Sequence, residues 1–292
     1  MPPANRIDQN EFRMMRDYIE KSCGIHITED KMYLVETRLT TLMVENGCST
    51  FMQFYQKATA DKTNGLRDKI VDAMTTNETL WFRDKSPFEI LDSVLLDRYV
   101  AEIKSGKRSK VRIWSAASST GQEPYSIAMV ILDYIRRHPG LRSDQFDILA
   151  TDISPSVLFL AMAGRYDNLA ISRGMDDSLK SKYFTQNGKV WAVRDEVKNM
   201  VTFKKLNLQE PLAVVGKRDI VFCRNVLIYF ADTFKRDILK RIAQLLRPDG
   251  FLFLGASESI INYTSDFQMQ RYTRGLYYQA KASGAVYANT IR

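Results

Sequence analysis

The stretch Val-Arg-Ile-Trp-Ser-Ala-Ala-Ser-Ser-Thr-Gly-Gln-Glu-Pro-Tyr-Ser, residues 111–126, decides the fold of this chain. It begins as a short β-branched strand, continues as a turn of very small residues, and ends at a helix start that carries Glu123 and Pro124. This layout is typical of a nucleotide site, but both phosphate-binding glycine motifs, G-x-G-x-x-G and G-x-x-x-x-G-K-[ST], are absent from it. A site that offers a carboxylate and no phosphate cradle suits a cationic, phosphate-free nucleoside, of which S-adenosylmethionine is the common example.

The composition is that of a globular protein with room for one large domain or two smaller ones: 292 residues, 45% apolar and 26% charged. No apolar run is long enough to span a membrane, and the N-terminus lacks the apolar core of a secretory signal. Three widely spaced cysteines, Cys23, Cys48 and Cys223, favour reduced thiols and a cytoplasmic location. With only His26 and His138 as imidazole ligands, no metal site is predicted.

The net charge of +8 is unevenly distributed along the chain. Residues 1–75 carry a net charge of −1, so the remainder carries +9. A basic body favours an acidic partner, such as nucleic acid, an anionic membrane surface or an acidic protein. The same charge can also serve solubility alone, and composition does not separate these interpretations.

Residues 1–75 are predicted to form a small helical domain, because apolar residues recur there at helical spacing and no strand pattern interrupts them. These residues are Phe12, Met15, Ile19, Met32, Val35, Leu39, Leu42, Leu66, Ile70 and Met74. Residues 76–110 are interpreted as a linker and lid segment that leads into the next domain.

From residue 111 to about residue 280, strands and helices alternate, which predicts an α/β domain with a mostly parallel sheet covered on both faces. The predicted strands are Val111–Ser115, Phe146–Thr151, Met200–Lys204, Asp219–Cys223 and Phe251–Gly255, and the predicted helices are Pro124–Arg137, Pro155–Ala163 and Thr233–Leu246.

Two hairpins are predicted in addition to the parallel strands. Asn187-Gly188 is a hairpin signal and indicates a small antiparallel insertion at about residues 180–198. Phe267–Arg271 and Leu276–Gln279 predict a closing hairpin at the sheet edge. The tail, residues 281–292, has no clear pattern and is expected to be disordered.

Polar residues follow four of the predicted strands. These segments are Ser115–Glu123, Asp152, Asn207-Leu208 and Arg224–Tyr229. Ligands of open α/β sheets bind beyond the carboxyl ends of the strands, and an acidic residue after the second strand typically binds ribose hydroxyls. One such aspartate is weak evidence because aspartate is common in turns, but four segments in order predict a single nucleoside site.

The segment Asn77-Glu78-Thr79-Leu80-Trp81-Phe82-Arg83 lies between the helical and the α/β domains. Its polar residues next to Trp-Phe-Arg fit either an interdomain hinge with ordinary packing or a part of the ligand site.

Together, these segments resemble the chemotaxis receptor methyltransferases of the CheR type. The matching blocks, in the order of that family, are Asn77–Arg83, Trp114–Ser126, Ala150–Asp152, Phe222–Tyr229, Leu246–Gly250 and Gly255–Glu258. The resemblance implies a Rossmann-like, S-adenosylmethionine-dependent methyltransferase fold with a small β-subdomain and an all-α N-terminal domain. It also implies transfer of a methyl group from S-adenosylmethionine to glutamate side chains of the cytoplasmic helical bundle of chemoreceptors, with S-adenosylhomocysteine as the product.

The resemblance also assigns roles to individual residues. Arg83 and Tyr229 match the residues beside the reacting methyl group. The positions that match cofactor-binding residues of the family are Asn77, Thr79, Arg83, Glu123, Asp152, Asn207, Leu208, Arg224 and Asn225. For Trp81 and Phe82, a place in the cofactor pocket and a place in the core are both open.

Two features bear on the receptor as a partner. Family members that dock on a receptor C-terminal pentapeptide have a longer glycine-rich loop in the β-subdomain, whereas residues 185–189 are short here, so pentapeptide-independent binding is predicted. In the helical domain, Lys31 and Arg38 share a helix face, which is either a basic surface for the receptor or simply solvated.

Two other functions compete with receptor methylation. The first is a methyltransferase that acts on RNA or a small molecule; the basic body permits RNA, but no basic stripe interleaved with aromatic residues is evident, so no nucleic-acid partner is predicted. The second is a non-catalytic module that senses S-adenosylmethionine, and the presence of both Arg83 and Tyr229 argues against it. Stable membrane insertion is not expected.

Overall fold

The computed structural model describes residues 6–273 and 275–281 of the chain. Its helices are α1 (Gln9–Cys23), α2 (Met32–Glu45), α3 (Phe51–Ala60), α4 (Gly65–Met74), α5 (Ser86–Ile90), α6 (Leu96–Lys104), α7 (Gln122–Arg137), α8 (Pro155–Ala163), α9 (Asn168–Ser172), α10 (Asp177–Tyr183), α11 (Asp195–Lys198) and α12 (Asp232–Leu245). Its strands are β1 (Val111–Ala116), β2 (Phe146–Asp152), β3 (Arg165–Asp167), β4 (Phe184–Asn187), β5 (Val190–Val193), β6 (Val201–Lys205), β7 (Arg218–Cys223), β8 (Leu246–Phe253), β9 (Phe267–Tyr272) and β10 (Gly275–Ala280).

Helices α1 to α4 form an all-α domain with a hydrophobic core of its own, as predicted. The start of α1 is fixed by a capping box, in which Asp8 accepts hydrogen bonds from the first turn and the Glu11 side chain accepts one from the Asp8 backbone. Phe12, Met15 and Ile19 then repeat every three to four residues and are fully buried. This core stabilises the helical domain, and the sheet domain packs against it.

The main sheet has seven strands in the order β6-β2-β1-β7-β8-β10-β9. Strands β6, β2, β1, β7 and β8 pair in parallel, and β10 is antiparallel to both of its neighbours. The chain first extends from β1 towards β6 and then returns to β7 on the other side of β1. This reversal of strand order is the switch point at which doubly wound sheets bind ligands.

Both faces of the sheet are covered, as the alternating pattern predicts. Ile113 of β1 and Ile148 of β2 belong to a core beneath α7, whereas the adjacent Trp114 and Leu149 belong to a core beneath α12. Because successive strand residues point to opposite faces, continuous apolar runs are required to fill both cores.

A separate three-stranded antiparallel sheet, with the order β3-β5-β4, follows α8. The hairpin of β4 and β5 confirms the predicted small insertion, and Gly188 in its two-residue turn has a φ of 61°. The third strand, Arg165–Asp167, was missed by the sequence pattern, because three residues are too few to show an alternation.

Two further features of the main sheet concern β8 and the closing hairpin. Strand β8 begins at Leu246, before the predicted start at Phe251, and its pairing with β7 contains an irregularity: Arg218 pairs with Leu246, and Ile220 pairs with Phe251. The closing hairpin is confirmed, with β9 as the edge strand.

No helix in residues 6–273 and 275–281 is both long and apolar enough to cross a membrane. The prediction for the tail falls outside the described residues, except at Lys281.

Candidate active site

A cleft with a volume of about 940 Å³, including its open mouth, lies between the helical domain and the carboxyl ends of β1, β2, β6 and β7. The walls of this cleft contain all the residues predicted to be catalytic or cofactor-binding: Asn77, Thr79, Arg83, Glu123, Asp152, Asn207, Leu208, Arg224, Asn225 and Tyr229. Their segments are far apart in the chain. The parallel strands bring the segments that follow them to one edge of the sheet, and the segment Asn77–Arg83, between α4 and α5, reaches the same edge.

The inner wall of the cleft is built around the ion pair between Glu123 and Arg224. The Glu123 carboxylate accepts hydrogen bonds from Ser115 Oγ at 2.8 Å and from Arg224 Nη1 at 2.7 Å. Arg224 Nη2 donates to the Arg83 carbonyl at 2.6 Å and to the Asp84 carboxylate at 2.7 Å. The Arg224 side chain is 1% exposed, so the pair is held with little freedom to move.

Asp152 organises the loop beside this pair. Its carboxylate accepts hydrogen bonds from the backbone N–H groups of Ser119, at 2.8 Å, and of Ser154, at 3.0 Å. Burial raises the pKa of Asp152 above its ordinary value, and the two backbone N–H groups oppose that rise only in part. Each carboxylate oxygen retains a lone pair that can accept a hydrogen bond from a ligand.

The loops that line the cleft contain strained backbone. Ala117, Ser119 and Asn225 have φ values of 54°, 50° and 57°, the left-handed region that residues other than glycine seldom adopt. Such conformations persist only where the surroundings hold them, and they concentrate at functional sites. Here Ser119 is held by Asp152, which fixes the small-residue turn after β1.

The rim of the cleft carries Arg83 and Tyr229, and both side chains have few partners. Among the described residues, the Arg83 guanidinium makes one hydrogen bond, to the Glu78 carbonyl at 3.2 Å. The Tyr229 hydroxyl makes none within the same residues, although its backbone carbonyl accepts a hydrogen bond from His26 N at 2.8 Å. Both side chains therefore retain hydrogen-bonding capacity at the mouth.

The segment Asn77–Arg83 crosses between the domains and lines the cleft, so it combines the two interpretations that the sequence left open. The Asn77 carbonyl accepts a hydrogen bond from Ser119 Oγ at 2.9 Å. Trp81, by contrast, is fully buried against Tyr166 of the small sheet, with ring centroids 4.9 Å apart. Trp81 thus belongs to the core, and Phe82 does not line the cleft either.

The helical domain contributes residues to the cleft that sequence reasoning missed, including Cys23 and Ile25. Asn207 links the two domains, since its Nδ2 donates to the Ser22 carbonyl at 2.9 Å. Burial raises the pKa of Cys23 to about 11, so this thiol stays protonated and unreactive at neutral pH. Of the other lining residues, Ala117, Ser118 and Val226 lie within the predicted segments Ser115–Glu123 and Arg224–Tyr229, whereas Ile153, Leu206 and Phe230 were not predicted.

Arg38, considered as part of a basic receptor-binding face with Lys31, is instead used inside the molecule. Its guanidinium donates to the Met74 carbonyl at 2.6 Å and to Thr76 Oγ1 at 3.0 Å. Arg38 therefore stabilises the segment that leads into the cleft, whereas Lys31 is exposed and Arg38 itself is only partly exposed.

The residues of the cleft fit S-adenosylmethionine. Glu123 and Asp152 place two carboxylates on the cleft wall, and a carboxylate can pair with a cationic amino group or accept hydrogen bonds from hydroxyls. Ser118 Oγ is buried on the cleft wall without a hydrogen-bond partner among the described residues, as expected of a group that a ligand satisfies. Apolar side chains such as Ile153, Leu206 and Leu208 provide a surface for a planar base.

Comparison with known proteins agrees with this geometry. The family model of the CheR methyltransferase SAM-binding domain matches residues 77–276, and that of the CheR methyltransferase all-alpha domain matches residues 10–75. The chain therefore belongs to the CheR family and is an S-adenosylmethionine-dependent methyltransferase.

Named relatives cover nearly the whole chain. It is 44% identical to the chemotaxis protein methyltransferase Cher2 of Pseudomonas putida, over 93% of this chain and 98% of that protein. It is 45% identical to chemotaxis protein methyltransferase 1 of Pseudomonas aeruginosa over the same shares of each chain. A chemotaxis protein methyltransferase of Vibrio parahaemolyticus is 44% identical over 95% of this chain and 99% of that protein.

Proposed function

We propose that this enzyme methylates glutamate side chains on the cytoplasmic helical bundle of chemoreceptors and so forms glutamyl methyl esters for chemotactic adaptation. The observation that carries the proposal is the pairing, in one cleft, of the tightly held carboxylates Glu123 and Asp152 with the lightly held Arg83 and Tyr229. The names of the relatives, which are chemotaxis protein methyltransferases, support the same assignment. Such a substrate requires the enzyme to act in the cytoplasm.

The cofactor would be held mainly by the inner wall. Glu123 would bind its cationic amino group and Asp152 its ribose hydroxyls, while Asn77, Thr79, Asn207, Leu208, Arg224 and Asn225 would complete the site. Arg224 would contribute chiefly by fixing Glu123, because its Nη atoms are already bonded to protein. Bound S-adenosylmethionine would supply a methyl group that is already activated on a sulfonium.

The acceptor needs orientation rather than activation. A glutamate side chain has an unperturbed pKa of about 4.3, so its carboxylate is ionised at neutral pH and needs no general base. Consistent with this, no histidine of the described chain lines the cleft. Arg83 would orient the incoming carboxylate by a charge-assisted hydrogen bond, and Tyr229 would donate a second bond that limits its rotation.

Methylation of purified receptor cytoplasmic fragments with methyl-labelled S-adenosylmethionine tests the proposal. We expect label on the receptor that mild base releases as methanol, since methyl esters hydrolyse under those conditions. Total cellular RNA, offered as a parallel substrate, should remain unlabelled. Label on RNA alone, or base-stable label on the receptor, would show that the acceptor is not a glutamate side chain.

We also propose that receptor binding does not depend on a C-terminal pentapeptide. The β4–β5 connection contains only Gly188 and Lys189, so the small sheet has no extended loop at this point. Calorimetric titration with a peptide of the last five residues of a pentapeptide-bearing receptor should give no heat of binding. A dissociation constant in the micromolar range would contradict this part of the proposal.

A further inference from the structure

The Glu258 carboxylate holds two loops of the site together. Glu258 Oε2 accepts hydrogen bonds from the backbone N–H groups of Asn225 and Gly255, each at 2.7 Å, and Oε1 accepts one from Ile228 N at 3.3 Å. Gly255 follows β8, and Asn225 follows the neighbouring strand β7. One side chain therefore fixes the backbone of two segments that leave adjacent strands.

These bonds are made where the backbone needs support. Asn225 adopts a φ of 57°, and the two loops pack so closely that a Cβ atom at Gly255 would lie 2.4 Å from Asn225 Nδ2. Glu258 forms no ion pair within the described residues, so N–H groups rather than a cation compensate its charge. A carboxylate that accepts several backbone N–H groups is an effective clamp for a strained loop.

The clamped loop carries Tyr229. Arg224, at one end of the loop, is bonded to Glu123, and the Tyr229 carbonyl, at the other end, accepts a hydrogen bond from His26 N. Glu258 contacts the loop between these two anchors, at Asn225 and Ile228. Glu258 itself does not line the cleft, so its effect on the chemistry would be indirect.

We infer that Glu258 is a positioning residue that sets the placement of the Tyr229 hydroxyl for methyl transfer. The inference rests on the proposed function, because it gives Tyr229 its role in orienting the acceptor carboxylate. Loss of the clamp leaves the two carboxylates of the inner wall in place, since Glu123 and Asp152 have their own partners, and among the residues proposed to hold the cofactor it frees only the backbone of Asn225. The turnover number should therefore fall much more than the affinity for S-adenosylhomocysteine.

The first test compares Glu258→Ala and Glu258→Gln with the wild-type enzyme. Because the clamp acts through the Tyr229 hydroxyl, we expect Glu258→Ala to lower kcat on receptor fragments by up to about tenfold, and by no more than the loss of that hydroxyl itself. The calorimetric dissociation constant for S-adenosylhomocysteine should change by less than about threefold, well below the tenfold that corresponds to 1.4 kcal/mol. Glu258→Gln, which keeps the size and one acceptor oxygen, should fall between. The control is Asp266→Ala, an exposed loop carboxylate that should leave kcat unchanged.

The second test asks whether Glu258 acts through Tyr229. The double variant Glu258→Ala/Tyr229→Phe should be no slower than the slower single variant, because groups that act as a unit are not additive. Amide hydrogen exchange in residues 224–229 should be faster in Glu258→Ala, a readout that needs no turnover.

Several results would overturn the inference: an unchanged kcat in Glu258→Ala, an equal loss of cofactor affinity and kcat, or multiplicative effects in the double variant. If Glu258→Ala does not fold, Glu258→Gln carries the same comparison. If the wild-type enzyme leaves receptors unmethylated, the proposed function is contradicted instead. Amide hydrogen exchange in residues 224–229 would still show whether Glu258 holds this loop.

Discussion

Two arginines of the cleft, Arg224 on the inner wall and Arg83 on the rim, stand in opposite situations. Arg224 is almost fully buried and bonded to Glu123, Asp84 and the Arg83 carbonyl. Arg83 is partly exposed and makes a single hydrogen bond, to a backbone carbonyl. The arginine at position 224 thus has a structural role, whereas the guanidinium of Arg83 remains available to donate hydrogen bonds.

This difference separates preorganisation from recognition. The inner wall presents carboxylates whose positions are set before any ligand arrives, which spares the enzyme the entropy of ordering them on binding. The rim keeps its donors available for an acceptor that comes from another protein. Substitutions on the wall should therefore affect stability and cofactor affinity, whereas substitutions on the rim should affect turnover.

The largest effect is expected for Arg224→Met. The variant leaves the mostly buried carboxylate of Glu123 and the more exposed carboxylate of Asp84 without their cation. Breaking a buried pair such as Glu123–Arg224 costs about 3–5 kcal/mol. Thermal and urea unfolding should show a correspondingly lower free energy of unfolding. The matched control is Arg83→Met, for which we expect a change of less than about 1 kcal/mol because the side chain has no charged partner among the described residues. Equal losses in the two variants would remove the distinction between wall and rim.

The next effect concerns Asp152→Asn, which should weaken the binding of S-adenosylhomocysteine. A hydrogen bond to a charged group contributes about 1.5–3 kcal/mol, so calorimetry should give a dissociation constant raised about 10- to 100-fold. Asp147→Asn, at the amino end of the same strand, is the control; Asp147 pairs with Arg218 away from the cleft, and its substitution should leave affinity unchanged. An unaltered affinity in Asp152→Asn would exclude this carboxylate from the ligand site.

The sequence predicted the α/β fold and, to within two residues, the carboxyl ends of the parallel strands of the main sheet. Four of the site segments follow a strand, and parallel strands bring their carboxyl ends to one edge, so local pattern and topology together placed Glu123, Asp152 and Tyr229 on one cleft. The segment Asn77–Arg83 lies between α4 and α5 and follows no strand. The separate core of the helical domain was predictable for a similar reason, because helical periodicity is a local property.

Contacts that depend on how separate units dock were not predictable. Ile25 lines the cleft only because the helical domain packs against the sheet domain, and nothing in its own segment indicates that. Trp81 sits in the motif closest to the rim, yet its ring is buried against the small sheet, which a linear pattern cannot distinguish from a pocket position. Likewise, the partners of Arg38 are more than 30 residues away in the chain.

On the rim, Tyr229→Phe should lower kcat on receptor fragments by about tenfold, the equivalent of one hydrogen bond of about 1–1.5 kcal/mol. Affinity for S-adenosylhomocysteine should stay within about twofold of wild type, since that hydroxyl has no role in the inner wall. Single-turnover measurements separate methyl transfer from product release. A rate equal to that of wild type would leave Tyr229 without a catalytic role and would also weaken the case for Glu258 as its positioning residue.

The smallest effect concerns the protonation of Asp152, which changes protein stability and ligand affinity only as the solution is acidified. Burial raises the folded-state pKa of Asp152, so the folded protein binds this proton more tightly than the unfolded chain, whose aspartates titrate near about 3.9. The cost of keeping Asp152 ionised is therefore absent below that unfolded pKa and is fully present once pH exceeds the raised folded pKa.

Ligand binding has the opposite dependence on pH: it weakens on acidification, because protonation removes the charge that strengthens the hydrogen bonds from ribose hydroxyls. The shift in melting temperature that S-adenosylhomocysteine produces should thus shrink as pH falls through the raised pKa, at a higher pH than an exposed aspartate would allow. In Asp152→Asn this pH dependence should disappear; if it persists, another group of the cleft titrates, and the inner wall is less firmly set by Asp152 than its two backbone hydrogen bonds imply.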